Sequence, residues 1–357
     1  MTAQRRFRWA VAGVGRHTRQ YLLPAIAESA RGELAALVTS DPESAARFAE
    51  PWGRPRIHTA LADALADPDI DGVMLATPNH VHRDQVLAAA HAGKHVLCEK
   101  PLATTTADAA EMVRVCQQNG VTLGTGFHLR HNLVHRTARD MIRAGRIGQI
   151  RFGSVRYSHR TAPQPMGVST ARADIPPVAQ WRRDPAIAGG GAFVSTGSHA
   201  IDLLRFLTDA EILDVQARGD GAPLQESTLG FVGSLDNGAV AMIHAGELSF
   251  PENETTISGT EGTVVCRGSV GNLGQGTLTL TTAAGIETFT PAPHNVYVAQ
   301  CDAFVHAVAG GFDADASGID GLRAQEVIDA AYTSADNAGR VTVTHRLHSP
   351  ETETSNP

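Results

Sequence analysis

The stretch FRWAVAGVGRHT, residues 7–18, predicts a buried strand, a tight glycine turn and the beginning of a helix. Gly13 and Gly15 occupy the first two glycine positions of the GxGxxG fingerprint, and Thr18 occupies the third. Glycines at the first two positions allow a tight turn and let a pyrophosphate approach the amino end of the helix. A lone GxG is a weak signal, but its place between the first strand and the first helix favours a dinucleotide site over a plain turn.

The alternation of strands and helices continues through the first 127 residues. Further strands are predicted at residues 33–40, 71–78, 94–100 and 121–127, and helices at 21–30, 43–50, 82–93 and 106–120. This alternation is typical of a parallel sheet with helices on both faces. Residues 1–127 are therefore predicted to form an α/β dinucleotide-binding domain of the Rossmann type.

The pattern changes after residue 127. β-rich segments without helices between them are predicted at residues 151–159, 212–219, 226–248, 255–266 and 276–282, and helices at 297–310 and 322–337. The DNG sequence at 236–238 indicates a hairpin. We predict a second α/β domain at 128–347 with a large, mostly antiparallel sheet. The final helices pack on this sheet or back on the first domain, and 348–357 form a flexible polar tail.

Composition limits the class of protein. Hydrophobic residues make up 42% of the 357 residues and charged residues 19%, as in soluble globular proteins. The net charge of −7 argues against nucleic-acid binding. The apolar run at 9–15 is too short for a signal peptide or a membrane span. Four cysteines without CxxC spacing indicate reduced thiols, so we expect a cytoplasmic protein with no metal and no membrane partner.

The end of the second strand bears on the choice of cofactor. An acidic residue there binds the ribose hydroxyls of NAD and repels the 2′-phosphate of NADP. Thr39 and Ser40 stand at this end instead and can donate to a phosphate, while Arg16 and Arg47 can supply positive charge. The pattern favours NADP over NAD. NAD stays open, because Asp41 reaches the ribose if the strand runs longer.

Three further motifs follow the predicted strands or enter a predicted helix. ATPNHVH (76–82) and CEKPL (98–102) stand at carboxyl ends of parallel strands, where open α/β sheets bind ligands. A lysine at position 100 would be unusual in a protein core, because lysines are rarely buried without a partner. The alternative is an ordinary surface lysine at the end of a strand. The third motif is GGGAFVSTGSHAID (189–202), in which Ser195 or Thr196 could cap a helix at 197–207.

Together, GVGRHT, ATPNHVH, CEKPL and GGG…GSHAID resemble the glucose–fructose oxidoreductase / inositol dehydrogenase family (Gfo/Idh/MocA), over nearly the whole chain. The resemblance implies a nicotinamide-dependent oxidoreductase that acts on a secondary alcohol or ketone, or a lactol or lactone, of a sugar, sugar derivative or cyclitol. It also implies a homodimer or homotetramer built through the open sheet of the second domain. The family's common GGGxLxDxGxH pattern is broken at Ser195, where an aspartate is usual.

The resemblance also assigns roles to single residues. Lys100 and His199 become the catalytic pair, with Lys100 also contacting the cofactor and His199 as the acid/base. Trp181, Arg182 and Ser195 become substrate-cleft residues. The expected cofactor-binding residues are Gly13, Gly15, Arg16, His17, Thr39, Ser40, Thr77, Pro78, Asn79, His82, Glu99 and Lys100.

The chemistry of alcohol oxidation agrees with these roles. A histidine suits the base because its ordinary pKa lies near 6.5, and a charged lysine stabilises a developing alkoxide. The alternative for His199 is a structural role, in which Asp202 orients its ring. Asp202 could also pair with Arg205 or another residue. For Ser195, helix capping is favoured over substrate contact.

The substrate could also be anionic. Arg130, Arg156 and Arg182 are the candidate ligands for an acidic or phosphorylated sugar. Alternate residues of a strand share a face, so Arg156, Ser158 and Arg160 would lie on one side of the strand and Tyr157 and His159 on the other.

Two other functions stay open. One is a redox-assisted glycoside cleavage or epimerisation with tightly held NAD. The other is a non-catalytic, dinucleotide-binding metabolite sensor.

Overall fold

The computed structural model describes residues 5–159, 180–222, 224–247 and 253–347. Its first sheet has six parallel strands in the order β3-β2-β1-β4-β5-β6, which is the strand order of the Rossmann fold. The strands are β1 (Phe7–Ala12), β2 (Gly32–Val38), β3 (Arg56–His58), β4 (Gly72–Leu75), β5 (His95–Cys98) and β6 (Leu123–Thr125). The predicted parallel sheet is confirmed, and β3, three residues long, was not predicted.

Helices cover both faces of this sheet. They are α1 (Leu23–Glu28), α2 (Pro42–Ala49), α3 (Leu61–Leu65), α4 (His82–His91) and α5 (Thr106–Gln118). Alternate residues of β1 belong to different cores: Trp9 and Val11 pack with α1 and α2, whereas Ala10 and Ala12 pack with α3, α4 and α5. Thr18–Leu22 forms a π-helical turn before α1, so the helix predicted at 21–30 is interrupted at its beginning.

The second sheet has nine strands in the order β14-β13-β12-β11-β7-β10-β9-β8-β15. They are β7 (Ile150–Ser158), β8 (Ile212–Gly219), β9 (Thr228–Leu235), β10 (Val240–Gly246), β11 (Glu254–Gly259), β12 (Gly262–Arg267), β13 (Thr277–Thr282), β14 (Gly285–Phe289) and β15 (Val341–Thr342). Among the strands in the described residues, β7 and β10 are the one parallel pair of this sheet, which is therefore mostly antiparallel, as predicted. The DNG sequence makes the turn between β9 and β10.

Five more helices complete the described part of the chain. They are α6 (Leu133–Arg143), α7 (Pro185–Ala188), α8 (Ala192–Thr208), α9 (Val296–Gly310) and α10 (Gly318–Asn337). Helix α8 crosses β7 and β10, α10 packs against both β8 and α5, and α9 packs on the parallel sheet beside α1. None of the helices in the described ranges is both long and apolar enough to cross a membrane. The boundary at residue 127 stays a prediction, and the tail at 348–357 lies outside the described residues.

The face of the large sheet opposite α8 carries exposed apolar side chains. Val232, Val240 and Met242 are each 43–47% exposed, and Val232 and Met242 face each other across β9 and β10. Helix α8 lies on the other side, where the side chain of Leu204 comes so close to Gly153 that a Cβ there would stand 2.6 Å from its Cδ1.

Candidate active site

A cleft lies where the carboxyl ends of the parallel strands meet β7 and the first turns of α8. It has a volume of about 350 Å³. We call it the reaction cleft and define it by His17, Thr77, Lys100, Tyr157 and His199, which line it from both sheets. A separate cavity of about 420 Å³ opens at the opposite, amino-terminal edge of the parallel sheet and contains none of the predicted site residues.

Lys100 follows β5 and reaches the helix that carries His199. Its Nζ donates to the backbone carbonyl of Ser195 at 2.9 Å. Burial lowers the pKa of Lys100, Glu99 and Glu247 oppose the shift, and Arg182 adds to it, so that the pKa is about 8. An amine with this pKa can both lose and accept a proton near neutral pH.

Lys100 is one of only two lysines in the chain, which has 30 lysine and arginine residues in total. The other, Lys94, donates through Nζ to the carbonyls of Asp67 and Ile70 at 2.8 Å each. An arginine stays protonated at any ordinary pH and cannot transfer a proton as a lysine can. The scarcity of lysine is a signal in the sequence that would have strengthened the assignment of Lys100.

His199 projects from α8 and is only 3% exposed. Its Nδ1 has no hydrogen-bond partner among the described residues. The ring of His128 meets it edge to face, with centroids 4.8 Å apart. Burial lowers the pKa of His199 well below 6.5, and the neighbouring Lys100 and His128 lower it further. The imidazole is therefore neutral at pH 7.

Ser195 does not cap the helix, so the capping prediction is wrong. Helix α8 begins at Ala192, three residues before Ser195, with Gly191 at the N-cap. Glu226 satisfies the first turn instead: its backbone carbonyl accepts from Ala192 N at 3.0 Å and its Oε1 accepts from Phe193 N at 2.9 Å. Ser195 is thus free of the helix end and lines the reaction cleft.

Asp202 does not orient His199, and Arg130 does not line the cleft, although both were considered as site residues. Arg130 is 6% exposed and donates to both carboxylate oxygens of Asp202, with its Nη2 also 2.8 Å from Asp320. A buried guanidinium must be paired, and these two carboxylates hold it against α8 and α10. The prediction that Arg130 binds the substrate is therefore wrong, and Arg130 instead forms a structural ion pair.

The alternation predicted along β7 is right, but the face that lines the cleft is the one with Tyr157 and His159. Tyr157 and His159 line the reaction cleft. Arg156 lies beside Glu254 on the opposite face, at 3.5 Å, and does not line it. The prediction that Arg156 binds the substrate is therefore wrong. Arg160 lies outside the described residues. The sequence alone could not say which face α8 would cover.

The glycine turn has the geometry of a dinucleotide cradle. Gly13 has φ +87°, and a Cβ there would stand 2.4 Å from the carbonyl oxygen of Ala76, so only glycine fits. A Cβ on Gly15 would meet open space, which leaves room for a ligand. Thr18 Oγ1 donates to the carbonyl of Gly13 at 2.5 Å, and so the residue in place of the third glycine closes the turn.

His17 and Glu99 connect this turn to the CEKPL motif. His17 Nε2 lies 3.3 Å from Glu99 Oε1. Burial alone would raise the pKa of Glu99, but His17, Lys100 and His128 hold it at about 2. Glu99 is therefore a carboxylate that is surrounded by donors beside the cleft.

Residues of the ATPNHVH motif lie in different environments. Thr77 and Asn79 line the reaction cleft, where Asn79 Nδ2 donates to the carbonyl of Ala188 at 2.7 Å. His82 is fully buried, with its two ring nitrogens 3.1 Å from the carbonyls of Thr77 and Pro101. His82 is thus corrected: it ties the two motif loops together and does not line the cleft.

The remaining predicted cofactor residues lie near the glycine turn. Arg16 is exposed, and Thr39 and Ser40 directly follow β2. Asp41 caps α2, because its Oδ1 accepts from Ser44 N at 2.9 Å. Pro78 comes directly before the helical turn that begins at Asn79. The cofactor roles of these residues stay predictions.

Sequence and structure comparisons place this geometry in a family. Residues 7–127 match the model of the oxidoreductase family with an NAD-binding Rossmann fold, and residues 135–265 match the GFO/IDH/MocA C-terminal domain. 1,5-Anhydro-D-fructose reductase of Ensifer adhaerens is 33% identical over 320 residues, which cover 88% of this chain and 92% of that protein.

Two further similarities extend over almost the entire chain. D-xylose 1-dehydrogenase (NADP(+)) 2 of Haloferax volcanii is 28% identical over 346 residues, 92% of this chain and 97% of that protein. The crystal structure of aldose-aldose oxidoreductase from Caulobacter crescentus complexed with glycerol superposes with a TM-score of 0.84 at 27% identity, covering 95% of this chain and 100% of that one. The chain is a member of the Gfo/Idh/MocA family of NAD(P)-dependent oxidoreductases, which act on CH–OH groups.

Proposed function

We propose that this protein interconverts a secondary alcohol and a ketone, or a lactol and a lactone, of a sugar, sugar derivative or cyclitol. The observation that carries the proposal is that Lys100, with its lowered pKa, and the neutral His199 line one cleft beside the glycine turn. The relatives named above support the substrate class.

The residues at the glycine turn fit a nicotinamide dinucleotide. Gly13 and Gly15 leave space for a pyrophosphate, and Thr77 and Glu99 line the same cleft as Lys100. A nicotinamide bound there would supply the hydride chemistry, as acceptor in the oxidation and as donor in the reduction. The protein has to supply the proton transfer and to hold the reacting oxygen.

Lys100 moves the proton in this proposal. In oxidation its neutral amine accepts the hydroxyl proton, and in reduction its ammonium returns the proton to the developing alkoxide. The hydrogen bond to the carbonyl of Ser195 fixes the amine at the wall of the cleft. Its pKa of about 8 keeps both protonation states populated near neutral pH.

His199 holds the reacting oxygen in place. A neutral imidazole offers one donor and one acceptor to a substrate hydroxyl. Because its neighbours suppress the protonated form, His199 does not compete with Lys100 for charge. The two side chains therefore act as a pair, with the amine transferring the proton and the imidazole orienting the hydroxyl.

The cofactor preference proposed is NADP. Asp41, the acidic residue nearest the end of β2, serves as the N-cap of α2. Thr39 and Ser40 supply hydroxyls at this point, and Arg16 and Arg47 supply nearby positive charge along the chain. Comparing the dissociation constants of NADP and NAD tests the preference, and tighter binding of NAD would contradict it.

Oligomerisation is proposed through the outer face of the large sheet. Val232, Val240 and Met242 form an exposed apolar strip there, which a second copy of the chain would cover. We propose a homodimer or homotetramer. Light scattering after size-exclusion chromatography tests this, and a monomer at micromolar concentration would contradict it.

A substrate screen tests the reaction itself. Oxidised and reduced NADP and NAD are assayed by nicotinamide absorbance against sugars, sugar acids, sugar phosphates and inositols. Lys100→Met and His199→Asn should each lower turnover by orders of magnitude with folding intact. Lys94→Met, at the other edge of the sheet, is the matched control. Full activity in both site variants would contradict the mechanism, and cofactor binding without turnover on the panel would favour a metabolite sensor.

A further inference from the structure

A second cavity opens directly off the reaction cleft. It has a volume of about 610 Å³, and we call it the side cavity, defined by Pro101, Ala192, Gln225, Ser227 and Glu247. Lys100, Ser195 and Trp181 line both cavities. His17, Ala76 and Thr77, which mark the cofactor end of the reaction cleft, do not line the side cavity. The side cavity therefore extends from Lys100 away from the glycine turn.

The walls of the side cavity are of two kinds. The apolar and aromatic lining consists of Trp181, Pro101 and Ala192, and the polar lining consists of Gln225, Ser227, Glu247 and the guanidinium of Arg182. A pyranose ring has the same two-sided character, because its C–H face packs on aromatic and apolar surface while its hydroxyls donate to carboxylate and amide oxygens. Volumes of this size are those of small-molecule sites.

Glu226 lines the side cavity and has one carboxylate oxygen without a hydrogen-bond partner among the described residues. It is only 4% exposed and its Oε1 accepts from Phe193 N and from the hydroxyl of Tyr332, both at 2.9 Å. Its Oε2 has no hydrogen-bond partner among the described residues. This oxygen is buried behind the cavity wall, so its missing partner costs stability, and a ligand hydroxyl could reach it only after a movement of the side chain. The charges of the lining balance, because Glu226 and Glu247 are opposed by Lys100 and Arg182, so the side cavity does not call for a charged ligand.

We propose that the side cavity binds a second, neutral sugar ring, so that the preferred substrate is a disaccharide or other glycoside and not a free monosaccharide. The reacting ring occupies the reaction cleft at Lys100 and His199, and the second ring extends past Ser195 into the side cavity. This inference rests on the proposed function, since the reaction at the first ring is unchanged.

The test compares glucose with cellobiose, maltose, sucrose and trehalose as probes, in the full chain with NADP. At least one disaccharide should exceed glucose about tenfold in kcat/KM, which corresponds to one well-made additional contact. Gln225→Ala and Glu247→Gln should each lower this ratio about fivefold, mainly through KM for the disaccharide. Gln117→Ala, an exposed glutamine on α5, is the matched control and should keep the ratio.

Calorimetric binding to the NADP-loaded protein separates this inference from the proposed function. Tighter binding of a disaccharide that weakens in Gln225→Ala supports the side cavity even if no sugar is oxidised, in which case only the proposed function fails. Equal binding and equal kcat/KM for glucose and every disaccharide would overturn the inference. The inference would also be overturned if glucose is oxidised but the ratio of kcat/KM for the disaccharide to kcat/KM for glucose stays the same in Gln225→Ala and Glu247→Gln. The proposed function would then still stand.

Discussion

Replacing Lys100 with methionine should make the protein more stable while removing its activity. Burial lowers the pKa of Lys100 from 10.5 to about 8, a difference that corresponds to about 3 kcal/mol of unfavourable charge burial at pH 7. Methionine keeps the length and apolar body of the side chain but carries no charge. The hydrogen bond to the Ser195 carbonyl is lost, which costs about 1 kcal/mol. The net gain in the free energy of unfolding is therefore about 2 kcal/mol.

The stability gained by Lys100→Met should decrease as the pH rises. Because the pKa of Lys100 is lower in the folded than in the unfolded chain, the penalty is fully present below pH 8 and fades as the pH rises towards 10.5. The advantage of Lys100→Met should thus shrink by about 1 kcal/mol between pH 7 and pH 9. A gain that came only from better packing of the methionine would not change over this range.

Urea unfolding at both pH values measures this change. Lys94→Met is the control: it removes two hydrogen bonds to the carbonyls of Asp67 and Ile70 and should lose about 1–2 kcal/mol at both pH values. A Lys100→Met protein that is less stable than the wild type at pH 7, or whose advantage is the same at pH 9, would refute the reasoning.

Three further predictions concern the same region. The rate of oxidation should rise and that of reduction should fall as the pH passes through about 8, because oxidation needs the neutral amine of Lys100 and reduction its ammonium; initial rates from pH 6 to 10 that do not change would contradict this. Ser195→Asp, which restores the common family residue, should stabilise the ammonium of Lys100 and move both midpoints up by about one pH unit; unmoved midpoints would count against a contact between these positions. Arg130→Met should lower the free energy of unfolding by about 3–5 kcal/mol, because Asp202 and Asp320 lose their shared cation; a loss below about 1 kcal/mol in urea would argue against the buried pair.

The parallel sheet was predictable because its signals are local. Strand β1 is followed at once by Gly13 and Gly15, and each later motif stands at a strand end, so chain order alone brings Thr77, Glu99 and Lys100 to one edge. The large antiparallel sheet was predictable for a similar reason, because strands with alternating apolar residues and a DNG turn between them are typical of an antiparallel sheet.

Several residues were assigned wrongly or missed because their partners are distant in sequence. Ser195 looked like an N-cap because small hydroxyl residues favour that position, but Glu226, from another strand region, satisfies the helix end. Arg130 looked like a ligand for an anion because Asp202 and Asp320 stand 72 and about 190 residues away along the chain. His128, which meets the ring of His199, comes from a segment with no motif of its own.

The two lysine ammonium groups also make the protein suitable for spectroscopy. Lys94 and Lys100 are the only side-chain amines in the chain, so reductive methylation with ¹³C-formaldehyde would place carbon labels on two side chains and the amino terminus alone. A ¹³C NMR titration would then follow the ionisation of the proposed proton carrier directly, with Lys94 as an internal reference in the same tube. No other lysine would first have to be removed to make the signal of Lys100 assignable.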